Sequence, residues 1–211
     1  MIILKEQISQ NISVAIWQIA ESEKFFFNRL QLLPEDESTI RHIQLQELKL
    51  QKLACRMALA ELLGTSKIEI TYAETGQPQI EGYCISFSHK KNSVAVALAN
   101  IPVGIDIEEL SPRITNLYPR FMSIEEIAEC DLHNLQDLYF YWCAKEAMYK
   151  WFANQNLDFI EDLRVKKNEN KGIVCKKHTL QFVSFYLENK MVVVCYEGKP
   201  FLSFSNLLLA K

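Results

Sequence analysis

Val103-Gly104-Ile105-Asp106-Ile107-Glu108 is the stretch from which the fold of this chain can be read. Its alternation predicts a strand with Asp106 and Glu108 on one face and Ile105 and Ile107 on the other. Two carboxylates held side by side repel one another unless a cation neutralises them. Oxygen donors of this kind suit Mg²⁺, which takes one or two carboxylates together with waters and phosphate oxygens. An edge strand with two solvated acids is the plainer alternative, and D-x-E alone does not decide between them.

Working outward, two more β-like runs precede it, at residues 94–99 and 85–88, and a short strand is expected at 14–19. From residue 38 to 63, Ile40, Ile43, Leu48, Leu53, Met57, Ala60 and Leu63 recur at helical spacing, with Gly64 as the stop. Residues 68–72 alternate as a strand, and Gly76-Gln77-Pro78 makes a turn. Beyond Pro112 the pattern restarts. Ser123-Ile124-Glu125-Glu126 has the form of a capping box and should open a helix. A longer helix is expected over 135–152, and strands at 179–187 and 191–196 should pair around Glu188-Asn189. Strands plus one long helix, twice over, predict an α+β architecture of two similar halves, 1–102 and 103–211.

Composition narrows the partners. Nearly half of the 211 residues are hydrophobic, with 12 Phe and 8 Tyr, which is ample for a core. A net charge of −3 gives no long-range basic field, so nucleic acid is not expected as a partner. Six cysteines without a C-x-x-C pair read as thiols packed in a reducing cytosol rather than as a zinc site or a disulfide framework. Lys5 and Glu6 near the start argue against a signal peptide, and apolar runs such as 207–210 are too short to span a bilayer. A soluble, cytoplasmic protein with no membrane partner is expected.

Two more motifs carry chemistry. In Trp142-Cys143-Ala144-Lys145-Glu146-Ala147-Met148-Tyr149-Lys150, helical spacing puts Trp142, Glu146 and Lys150 on one stripe, with Lys145 beside them. An acid then lies between two bases under an aromatic ring, although a solvated Glu–Lys pair beside a core tryptophan would read the same way. In Ile85-Ser86-Phe87-Ser88-His89-Lys90, hydroxyl, imidazole and ammonium follow a strand and could converge on an anion. A Ser–His dyad is the rival there, but no G-x-S-x-G surrounds Ser88.

Taken in order, F-S-H, V-G-I-D-I-E, F-x-S-x-E-E at Phe121 to Glu126, and W-x-x-K-E-A-x-x-K resemble the Sfp-type 4′-phosphopantetheinyl transferases. The resemblance spans about residues 40–150 and includes Leu62-Leu63-Gly64. It implies two pseudo-symmetric α+β halves with the active site in the cleft between them, the first half binding coenzyme A. The second half would carry Mg²⁺ and the catalytic residues.

By the same resemblance, Asp106, Glu108 and Glu146 are the metal ligands, and Glu146 and Lys150 the catalytic pair, Lys150 reaching the pyrophosphate. Ser88, His89, Lys145 and Lys150, with Lys49, Lys52 and Arg56 of the first long helix, are the candidate coenzyme A contacts. The implied reaction moves 4′-phosphopantetheine from coenzyme A onto a serine of an apo acyl or peptidyl carrier protein, releasing 3′,5′-ADP. Arg113, Tyr118, Arg120 and Phe121 are expected to form the local docking patch, and one chain should suffice as a monomer. Gly76-Gln77-Pro78 departs from the family's G-K-P, and nothing after residue 155 matches a motif. The alternative is a non-catalytic coenzyme A or carrier-binding module. Other nucleotide enzymes lack support, since there is neither G-x-x-x-x-G-K-[ST] nor G-x-G-x-x-G.

Overall fold

The computed structural model describes residues 1–153 and 156–199; the apolar run at 207–210 lies outside the described residues. The chain is α+β and divides into two compact units, Met1–Ile101 and Pro102–Lys211. No described helix is long and apolar enough to cross a membrane.

In the first unit, β1 (Ile2–Ser9), β2 (Ile12–Gln18), β7 (Cys84–Lys90) and β8 (Ser93–Ala99) form an antiparallel sheet in the order β1-β2-β8-β7. Between β2 and β7 come α1 (Glu23–Phe27), β3 (Gln31–Leu32), α2 (Pro34–Arg41) and α3 (Gln46–Leu63). The short β4 (Lys67–Ile68), β5 (Thr71–Tyr72) and β6 (Pro78–Gln79) follow. Helix α3 buries Leu53, Ala54, Ala58 and Leu59 against Trp17, Val94, Val96 and Leu98. Gly64 ends it in the left-handed conformation at φ 70°, a backbone that glycine adopts without a Cβ penalty.

The helix expected from 38 to 63 is two helices. Pro34 opens α2 with Glu35, Asp36 and Glu37 in its first turn, a favourable helix start. The chain then leaves helical geometry before α3 begins after Leu45. The strand expected at 68–72 is likewise split, with β4 pairing in parallel to β3 and β5 antiparallel to β6.

In the second unit, β9 (Val103–Glu109), β10 (Leu163–Lys166), β11 (Lys171–Val174), β12 (His178–Leu187) and β13 (Lys190–Glu197) build a second antiparallel sheet. Its order is β10-β11-β12-β13-β9. Helices α4 (Ile124–Glu129) and α5 (Leu135–Phe152) complete the unit, after two 3₁₀ turns at Pro112–Asn116 and Tyr118–Arg120. The second strand pair turns at Glu188, held at φ 54°. Helix α5 has no internal glycine or proline, and the Asn134 side chain caps it by accepting from the Gln136 N–H at 2.9 Å. Leu138, Phe140, Cys143, Ala144, Ala147 and Met148 bury its inner faces against β9 to β13. Each fully buried aliphatic side chain of this kind contributes about 1.5–3 kcal/mol.

The tightest point of this packing is Gly104. A Cβ built there would stand 2.0 Å from the Ala147 carbonyl oxygen, so strand and helix backbones meet with no room for a side chain. Its pairing partner on β13 is Cys195, and the acids two and four residues on pair with Val193 and Met191. These three β13 residues belong to the core beneath α5, so Gly104, Asp106 and Glu108 share the helix-facing side of β9. Gly104→Ala is therefore expected to cost about 3 kcal/mol, the upper range for overpacking, because the clash is with backbone. Chemical denaturation of the variant against the parent measures it.

Candidate active site

Two repeats line the side chains up: every fourth residue of α5 shares one helix face, and every second residue of β9 one strand face. Contacts tie the two rows together. Trp142 Nε1 donates to Glu108 Oε1 at 3.4 Å, and Lys150 Nζ donates to Asp106 Oδ1 at 2.7 Å and to the Ile105 carbonyl at 3.0 Å. Helix and strand thus run in opposite senses, with Glu146 midway along the stripe.

The acids influence one another electrostatically. The Glu146 carboxyl is pushed up to about 7, chiefly by burial and then by the negative charges of Asp106 and Glu108, with Lys150 pulling the other way. Burial, followed by the same two charges, also lifts the neighbouring Cys143 thiol well above its usual range. Asp106 is itself 5% exposed. Three carboxyl groups facing one region in a low-dielectric setting are a charge excess that a divalent cation would relieve. The donor set is all oxygen and fits Mg²⁺. Among the described residues, however, no three such side chains are already gathered in a metal-holding arrangement, and Lys150 supplies the positive charge at Asp106.

The raised Glu146 value has a sign. Between about 4.5 and about 7 the folded protein keeps a proton that the unfolded chain has released. Stability should therefore fall as pH rises through that window. Without divalent cations, Glu146→Gln should flatten this dependence and leave the protein about 1–2 kcal/mol more stable at neutral pH, allowing for solvent screening. Thermal melts across pH, in chelator, test it.

Lys145 is corrected by the structure. Its side chain is fully buried, and its ammonium meets Glu126 Oε2 at 2.7 Å and the carbonyls of Phe121 and Phe159 at 2.6 Å each. An ammonium has three donors, and all three end inside the protein. No exposed atom is left for a coenzyme A phosphate. Glu126 is equally committed, accepting from the Ser123 N–H at 2.8 Å and the Val165 N–H at 2.7 Å. The expected capping box is thus formed, and its glutamate also ties α4 to α5 and β10. Lys145→Met should cost about 3–5 kcal/mol by stranding a buried carboxylate. Urea denaturation at neutral pH is the measurement.

The first unit's candidates fare unevenly. Arg56 is 2% exposed and is bound by Asp36 through both carboxylate oxygens, with further bonds to Tyr72 Oη at 3.2 Å and the Lys52 carbonyl at 3.0 Å. A buried guanidinium satisfied in this way is a core strut rather than a phosphate reader. Lys49 pairs with Glu23 at 3.7 Å, while Lys52 is half-buried on the same helix. Ser88 and His89 lie inside β7, not after it; alternation buries Ser88 and exposes His89 on this edge strand.

Of the expected docking patch, Arg113 and Arg120 are exposed and Tyr118 is half-buried, but Phe121 is in the core at 3% exposure. The exposed apolar side chains there are Leu117, at 43%, and Ile124, at 84%. The sequence reading missed both, although a large aliphatic at the first position of a short, acid-rich helix was a usable signal.

Residues 102–196 match the family model of the 4′-phosphopantetheinyl transferase superfamily, a segment that holds the acids, the tryptophan and both lysines of α5. The match covers most of the second unit, which is similar to that superfamily. No curated protein is significantly similar to it.

Proposed function

We propose that the protein is an Sfp-type transferase that moves 4′-phosphopantetheine from coenzyme A to a serine of an apo carrier protein, with Mg²⁺. The observation that carries this reading is the Lys150–Asp106 pair on the β9–α5 seam, with Glu108 and Glu146 on the same facing sides, inside the segment that matches the superfamily. Asp106, Glu108 and Glu146 would hold the ion, which when bound supplies positive charge to the pyrophosphate oxygens.

The chain's own groups account for the rest. The serine oxygen forms a bond to the pantetheine-side phosphorus while the bond from that phosphorus to the bridging oxygen breaks, and 3′,5′-ADP leaves. Glu146, a carboxylate on the stripe that faces the acids, takes the hydroxyl proton. Lys150 is paired with Asp106 and offers its ammonium to the departing phosphate of 3′,5′-ADP. Arg113, Arg120, Leu117 and Ile124, presented by the turns before α4 and by its first residue, form a mixed basic and apolar surface suited to an acidic carrier. Ser88, His89, Lys49 and Lys52 remain the first unit's candidates for the nucleotide.

The test is the mass increment of phosphopantetheine on apo carrier proteins incubated with coenzyme A and Mg²⁺. Glu146→Gln should keep the fold and reduce the rate on the order of 10²-fold or more, because an amide cannot accept the proton. Asp106→Ala should remove activity. Both variants working at near-parental rates would refute the assignment, whereas coenzyme A binding without any increment would leave only a binding module.

A further inference from the structure

We propose that Trp142 is a positioning residue for Glu108, an inference that rests on the transferase reading and adds to it a group with no assigned role. Its indole N–H donates to Glu108 Oε1 at 3.4 Å, from α5 across to β9. A carboxylate on a three-bond stem near the end of a strand can turn its oxygens freely unless something fixes its plane. A hydrogen bond from a rigid donor does so, as partners of metal-holding carboxylates commonly do.

The donor is rigid because its ring is walled in. Phe121 meets the indole edge-on, with centroids 5.0 Å apart, and Phe159 stacks on it at 5.8 Å and 29°. Tyr149 continues the stack beyond Phe159 at 5.7 Å. The two wall residues are themselves clamped by one group. The Phe121 and Phe159 carbonyls both accept from the buried Lys145 ammonium, one helical turn along α5 from Trp142. Lys145 thus acts at a distance: it fixes the walls, the walls fix the indole, and the indole fixes the carboxylate. An indole that swung to another rotamer would lose both ring contacts along with the hydrogen bond. Its one donor therefore has one direction.

Trp142→Phe separates the donor from the wall, keeping an aromatic ring but not the N–H. The variant should fold and melt a few degrees below the parent, since one weak hydrogen bond and part of the indole's packing are lost. Mg²⁺ affinity by titration calorimetry should fall on the order of tenfold, the range seen when partners of metal ligands are removed. In the transfer assay the half-saturating Mg²⁺ concentration should rise while the rate at saturating Mg²⁺ changes little. Adding Mg²⁺ should also change the parent's tryptophan fluorescence, and that change should vanish in Trp142→Phe although Trp17 and Trp151 remain.

Equal Mg²⁺ affinity in parent and variant overturns the positioning role and leaves the transferase intact. If the parent itself binds no Mg²⁺, the transferase reading falls and this inference with it. Should Trp142→Phe fail to fold, Phe159→Leu loosens the stack but keeps the donor. A smaller loss of Mg²⁺ affinity is then expected, and no loss overturns the proposal.

Discussion

The contact on which the second unit depends is the backbone approach of Gly104 to Ala147. Everything chemical in that unit follows from it. A side chain at Gly104 would push α5 away from β9 and carry the stripe away from the acids. Glycine is needed here for absent volume rather than for an unusual backbone angle. The residue is two positions from Asp106, so the motif carries its own spacer.

That approach concentrates charge of one sign, which folding alone would disfavour. The structure offsets it in two ways: Lys150 leans on Asp106, and Glu146 keeps its proton up to about neutral pH. A site of this type is less stable than its apolar surroundings would allow, as expected where function and folding draw on the same residues. The aromatic wall around Trp142 and the buried Lys145–Glu126 pair then hold the arrangement from behind.

Much of this was legible in the sequence because it depends on short-range spacing. Alternation gave β9 its two faces, the S-x-x-E form gave the cap of α4, and periodicity gave α5 its full length. What failed was whatever depended on distant packing. Lys145 looked like a free cation because nothing local shows that Glu126, Phe121 and Phe159 close over it. Arg56 misled for the same reason, its partner Asp36 lying on a different helix. The break at residues 42–45 was hidden because Ile43 and Leu45 keep it apolar and no glycine or proline marks it. Strands β1, β10 and β11 were missed, as two are only four residues long and β1 breaks its apolar alternation at Lys5 and Glu6.

Lys145 and Glu146 stand side by side in the chain and face different worlds. One turns inward to a carboxylate and two carbonyls; the other turns toward two acids and a lysine. A helix rotates successive side chains by about 100°, so adjacent letters need share no surroundings. The four-letter string W-x-x-K-E-A therefore mixes two kinds of information, one about assembling the unit and one about what the unit does. A pattern search that weights both letters alike would accept a chain that folds identically but has lost its chemistry. It would also reject one that kept the chemistry and rebuilt the strut from other residues.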